Sequence, residues 1–140
     1  MTKAPKKILF ICTGNSIRSQ MAEGFMKVLG GEDWIAQSAG VISSSVHPLA
    51  IQAMEEMGID ISHQSSKSLD MLLREEFDVV ITLCDHAAKT CPTFLGQTQR
   101  LHWPLEDPAG ATGTTEERLK VFRKVRDQLK KKIEEFLRAA

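Results

Sequence analysis

The segment Lys7-Ile-Leu-Phe-Ile-Cys12 is apolar at consecutive positions, not alternate ones, and a helical spacing comes almost directly after it. A strand without alternation has both faces covered, which is the signature of a parallel sheet flanked by helices. Over residues 17–29 the side chains of Ile17, Met21, Phe25 and Val28 recur at helical spacing, and Gly30-Gly31 supplies the stop. The alternation then continues. Residues 34–38 read as a short strand. Pro48 opens a helix with Ile51, Met54 and Met57 turned inward and Gly58 at its end. Residues 68–76 read as a shorter helix, 77–83 as the second strong strand and 100–103 as a weaker fourth. Thr114 and Glu117 form a capping box ahead of a helix with Leu119, Phe122, Val125, Leu129, Ile133 and Phe136 on one stripe. Lys130, Lys131 and Lys132 suit the negative pole of that helix and read as a solvated face.

Strands alternating with helices imply right-handed crossovers and an α/β fold: a four-stranded parallel doubly wound sheet in the order 2-1-3-4, with helices on both faces. At 140 residues, with no repeat or linker, the chain is expected to be a single domain over 1–140. Ligands of such sheets bind beyond the carboxyl ends of the strands, where the winding reverses. Cys12 ends the first strand, Cys84 comes just after the third and Asp107 lies past the fourth, so all three are expected at one edge.

The balance of 18 basic against 18 acidic residues argues against a nucleic-acid partner. The apolar run at Ile8 to Ile11 is too short for a membrane span or an export signal, which makes a cytoplasmic location the expectation. There thiols stay reduced, and an odd count of three cysteines fits reactive thiols better than a disulfide framework.

Cys12-Thr-Gly-Asn-Ser-Ile-Arg18-Ser19 joins a strand to a helix. Gly14, and Asn15 as a second candidate, can adopt positive φ and turn consecutive N–H groups into one concavity. Thr13, Gly14, Asn15, Ser16, Ile17, Arg18 and Ser19 are therefore the candidate oxyanion ligands. The helix N-terminus adds positive potential for a tetrahedral dianion, and Arg18 offers a planar fork to two of its oxygens. The same field favours the Cys12 thiolate, to which Ser19 can donate its hydroxyl. Asp107, held extended by Pro108, is either a proton donor at that edge or simply a turn residue of Asp-Pro-Ala-Gly. Its neighbour Glu106 reads as surface charge.

Neighbouring strands lie about 4.8 Å apart, within the roughly 4.4–6.8 Å Cα separation of a disulfide, so Cys84 can reach Cys12 if strands one and three are adjacent. Cys91 is different. A helical segment from Cys84 to Cys91 would rise about 10 Å, so that pair closes only if the short segment ending at Pro92 unwinds. A zinc site from Cys84, His86 and Cys91 lacks a fourth ligand. His86 falls in the segment that must move, and His47, His63 and His102 read as surface or structural residues.

Cys-x5-Arg-Ser after an N-terminal strand resembles the low-molecular-weight protein tyrosine phosphatase superfamily, and the likeness runs nearly end to end. The narrower set Cys-Thr-Gly-Asn-Ser-x-Arg-Ser-Gln-Met-Ala-Glu, then Thr-Leu-Cys with Cys91 seven on, then Asp-Pro-Ala-Gly, resembles the thioredoxin-coupled arsenate reductases. That resemblance implies nucleophilic Cys12, anion-binding Arg18, proton-donating Asp107 and relay thiols Cys84 and Cys91. It further implies arsenate as substrate with phosphate as competing anion, no bound cofactor, external thioredoxin (or glutaredoxin with glutathione) as reductant, and a monomer.

The chain departs from the pattern at three places. It has no tyrosine, whereas the phosphatases put tyrosines after Asp-Pro, where Ala109-Gly110 stands here. Ile17 replaces a loop cysteine of many relatives. Asn15, Glu23 and Ser38 match positions that bind potassium in some of these reductases, but Lys67 stands where a further carboxylate would be, so no metal is assigned. Two other functions fit the same residues: a phosphatase for phosphate monoesters, and a non-catalytic thiol module that captures arsenite or senses oxidation.

Overall fold

The computed structural model describes residues 4–91, 94 and 98–140; Pro92, expected to close the segment after Cys91, lies outside them. Four strands, β1 (Lys6–Cys12), β2 (Trp34–Gly40), β3 (Val79–Thr82) and β4 (Gln99–His102), form one parallel sheet in the order β2-β1-β3-β4. The expected topology holds. Ile8, Leu9, Phe10 and Ile11 have no exposed surface, as a central strand covered on both faces requires.

The helices are α1 (Arg18–Leu29), α2 (Pro48–Glu55), α3 (Asp85–Thr90) and α4 (Thr115–Ala139). α1, α2 and α4 pack on one another, while α3 lies against β1 and β3. The capping box is formed: Glu117 N–H donates to Thr114 Oγ1 and Thr114 N–H to Glu117 Oε1. Leu119, Phe122, Val125, Leu129 and Ile133 of α4 are buried, and half-buried Phe136 packs on Trp34 and Trp103. Within the lysine run, Lys132 places its ammonium 5.9 Å from the Trp103 ring centroid and so covers an aromatic face.

Four expectations are corrected. Residues 68–76 hold only a single 3₁₀ turn, Leu69–Met71, capped by the Ser68 hydroxyl on Asp70 N–H. Leu69 and Leu72 are buried but Met71 and Leu73 are exposed, so no continuous apolar stripe sustains a longer helix. α2 ends at Glu55 and turns Leu49, Ala50, Ala53 and Met54 inward, because small alanines let it approach its neighbours; Met57 lies beyond its end, 37% exposed. Val28 of α1 is also exposed, although Met21 and Phe25 of the same stripe are buried. The boundaries of β3 and β4 are each shifted slightly, with Phe77 and Leu83 buried just outside β3.

Arg126 and Arg123 of α4 hold the end of α2. Arg126 Nη1 donates to Ala53 O at 2.9 Å and Glu56 Oε1 at 2.8 Å, and Arg123 Nη2 to Glu56 Oε2 at 2.7 Å. These bonds, that of Arg123 first, lower the Glu56 carboxyl pKa from its ordinary 4.5 to about 2. A depressed folded-state pKa stabilises the fold above the unfolded value, and that contribution is lost as pH falls through the folded one. The gap in melting temperature between the natural chain and Glu56→Gln is therefore expected in full at pH 7, shrinking as the pH drops from 4.5 towards 2. A gap independent of pH would show that the ion pairs contribute nothing.

Candidate functional site

Cys12 is the last residue of β1, in register with Gly40 of β2. The loop beyond it rides over the end of β2. A Cβ on Gly40 would lie 2.5 Å from Ile42 O, 2.7 Å from Asn15 N and 2.8 Å from Thr13 O, so only glycine fits. The left-handed residue of the loop is Asn15, at φ 48°, and not Gly14, which has no positive φ. Asn15 tolerates that conformation because its side chain is bonded on every side.

The bonds around Asn15 have a fixed direction. Its Oδ1 accepts Lys67 N–H at 2.7 Å, and a main-chain N–H only donates, so Nδ2 must face the two serines. Nδ2 donates to Ser19 Oγ at 2.7 Å and Ser38 Oγ at 2.9 Å. Ser19 Oγ, which accepts from Asn15, lies 2.8 Å from Cys12 Sγ, where its hydroxyl can donate to a thiolate. Gln20 Nε2 braces that amide by donating to Asn15 Oδ1, and it also donates to the main-chain Asn15 O; Gln64 braces Gln20 in turn. Single polar residues inside a helical pattern gave no signal for that brace.

A cavity of about 240 Å³ opens above the sulfur, lined by Cys12, Thr13, Gly14, Ser16, Ile17 and Arg18 together with His47, Asp107 and Ala109. Asn15 and Ser19, both fully buried, stand behind this wall and support it. Ile17 caps α1 without a side-chain bond, which leaves the first N–H groups of the helix for a ligand. Arg18 is buried; Nη1 donates to Leu105 O at 3.1 Å and Nη2 lies 3.6 Å from Asp107 Oδ2. Asp107 Oδ1 accepts Ala109 N–H at 3.0 Å, so the turn and the cavity positions are the same position. Glu106 is on the surface with Lys124, as expected.

Cys12, Cys84 and Cys91 are reduced, with no disulfide among them. Leu83 N–H donates to Ile11 O at 2.8 Å, which carries Cys84 alongside the loop, and Cys84 Sγ lies 3.3 Å from Thr13 Oγ1. The same sulfur accepts Ala87 N–H as the cap of α3. Cys91 closes the opposite end of α3, so the helix separates the two thiols as their spacing requires. It lines a second recess of about 210 Å³ with Thr82, Arg100 and His102. Burial pushes the Cys91 thiol pKa up, against a smaller opposing effect of Arg100. Asp85, the first residue of α3, is held by His102 Nε2 at 3.0 Å, whose Nδ1 meets Thr82 Oγ1 at 2.7 Å. His102 is thus structural, as its sequence position suggested.

The residues at the potassium-like positions do not present a ring of free oxygens. Glu23 Oε1 accepts the Ser38 hydroxyl at 2.7 Å and lies 4.0 Å from Lys67 Nζ, while Oε2 pairs with Lys27 Nζ at 2.6 Å. Asn15 turns its Nδ2, not its oxygen, towards Ser38. Two ammonium groups already meet the carboxylate. Among the described residues no cluster of three His, Cys, Asp or Glu suits a metal, so the arrangement Cys84, His86, Cys91 is not formed. His47 is the site residue that the sequence pattern did not reveal. It caps α2, as a structural histidine would, yet it also lines the cavity. The available signal was His-Pro opening a helix at the carboxyl edge of the sheet.

Residues 7–140 match the family of low molecular weight phosphotyrosine protein phosphatases. An arsenate reductase of Halalkalibacterium halodurans is 50% identical over 131 residues, 94% of each chain. A solved arsenate reductase in the phosphate-binding state aligns with a TM-score of 0.83 at 44% identity, covering 96% of this chain and 98% of its own. A solved low molecular weight protein tyrosine phosphatase from T. tengcongensis aligns at 0.76 with 28% identity, covering 96% of this chain and 99% of its own. The chain belongs to the low molecular weight phosphotyrosine protein phosphatase family, on the side of it held by the arsenate reductases.

Proposed function

We propose that this protein reduces arsenate to arsenite, with Cys12 as nucleophile, a relay through Cys84 and Cys91, and a thioredoxin-type dithiol as the external reductant. The observation that carries the reading is the placement of a second sulfur, Cys84 Sγ, on the Thr13 hydroxyl of the loop that begins at Cys12. A hydrolase has no use for that thiol.

Arsenate sits in the cavity on the loop amides and the Arg18 fork. The Cys12 thiolate attacks arsenic, and Asp107 protonates the departing oxygen, which leaves as water. The Cys84 thiolate then attacks the Cys12 sulfur; the sulfur–arsenic bond breaks and its electron pair leaves with arsenite. A Cys12–Cys84 disulfide remains. The Cys91 thiolate attacks Cys84, releasing Cys12, and the external dithiol reduces the resulting Cys84–Cys91 bond. The transfer from Cys12 to Cys91 requires α3 to unwind, because about 10 Å of helical rise exceeds the roughly 6.8 Å limit of a disulfide. At six residues the helix is short enough to open. Thiols used in this way need a reducing compartment, and the cytoplasm is one.

The test is arsenate-dependent NADPH consumption with thioredoxin and thioredoxin reductase, run on the natural chain and on Cys12→Ser, Cys84→Ser and Cys91→Ser. All three variants are expected to lose steady-state turnover. Aryl phosphate hydrolysis that needs Cys12 alone, with no arsenate reduction by the natural chain, would make it a phosphatase. Ala109 in the cavity wall and the absence of tyrosine leave an aromatic ester little to stack on. Tight binding of trivalent arsenic with no consumption of arsenate would make it a capture module.

A further inference from the structure

We infer that the Nε2–H of His47 is a hydrogen-bond donor to the oxyanion held above Cys12, which adds this side chain to the substrate-binding set. The inference rests on the anion-binding reading of the cavity. His47 forms part of the same wall as Cys12, Arg18 and Asp107.

Two contacts fix its ring and a third fixes its backbone. Nδ1 accepts Leu49 N–H at 3.0 Å, the imidazole packs on Phe122 with centroids 5.0 Å apart, and its own main-chain N–H donates to Ser16 O at 3.0 Å. The last bond ties His47 directly to the anion loop. The first sets the tautomer: Leu49 N–H can only donate, so Nδ1 carries the lone pair and the ring proton sits on Nε2. Among the described residues no hydrogen bond reaches Nε2, and it is not a buried, unpartnered atom, so that edge faces open space. Burial, with Arg118 of α4 acting in the same direction, lowers the His47 pKa below its ordinary 6.5, against a smaller opposing effect of Asp107. At neutral pH the ring is a neutral donor in one tautomer. It adds direction at the anion without a further cation beside Arg18.

The side chain has two functions that one substitution separates. Asparagine is a good helix N-cap, so His47→Asn keeps an acceptor for Leu49 N–H but is too short to bring a donor into the cavity. Its melting temperature is expected within about 2 °C of the natural chain, while the Kd for inorganic phosphate by calorimetry and the KM for arsenate each rise about tenfold. In the natural chain the ¹⁵N spectrum of the His47 ring is expected to show the Nε2–H tautomer and to shift as phosphate is added. An unchanged phosphate Kd, an Nδ1–H tautomer, or a fall in kcat at constant KM (the sign that Nε2 serves Asp107 instead) would each overturn the inference. Phosphate binding needs no turnover, so a natural chain that binds phosphate and fails to reduce arsenate would sink the reductase reading alone.

Discussion

A Cys91→Ser variant is expected to release one equivalent of arsenite and then stop, holding a Cys12–Cys84 disulfide. The natural chain, given thioredoxin and its reductase, continues. The reason is positional. Cys84 reaches the loop directly, with its sulfur 3.3 Å from the Thr13 hydroxyl, whereas Cys91 sits across the length of α3. In the proposed relay, removing Cys91 leaves the first two bond exchanges intact and takes away the thiol that frees Cys12. The readout is a burst of arsenite in rapid quench, with peptide mapping of the alkylated product. Repeated turnovers by the variant with thioredoxin as sole reductant would contradict the relay, and a missing burst would place Cys91 in the first exchange.

The largest stability effect is expected at Asn15. Asn15→Ala removes four side-chain bonds, to Ser19, Ser38, Gln20 and Lys67 N–H, all at 2.7 to 3.0 Å and all around a residue with no exposed surface. It also leaves alanine at φ 48°, a left-handed conformation that costs roughly 1–2 kcal/mol. Leaving buried partners unsatisfied costs about 1–3 kcal/mol each when nothing relaxes, and relaxation brings the expected total to about 4 kcal/mol. For a chain of this size that is a fall of roughly 10–15 °C in melting temperature. Chemistry should suffer separately, because Ser19 loses the donor that holds its hydroxyl beside Cys12 Sγ. Alkylation of Cys12 by iodoacetamide in the folded state is the measurement. A fall of less than about 3 °C would show that water replaces the amide and that Asn15 is no brace.

Much of this molecule is local in origin. The consecutive apolar run before Cys12 demanded a covered central strand, and the sheet order came from strands alternating with helices. Cys12, Arg18 and Asp107 share a cavity because the loops leaving the strands of such a sheet all emerge at its carboxyl edge. The helix expected over 68–76 failed for the opposite reason. Two buried leucines satisfied a pattern, but no neighbouring surface was there to cover Met71 and Leu73.

Spacing along the chain thus determined the sheet, its order and the edge where Cys12, Arg18 and Asp107 meet, because backbone periodicity and turn residues act over a few positions. Tertiary structure alone decided which loop residue is left-handed, which way the Asn15 amide turns, and that His47 lines the site. Those outcomes depend on groups as distant as Lys67 and Phe122, brought near only once the sheet and its helices close.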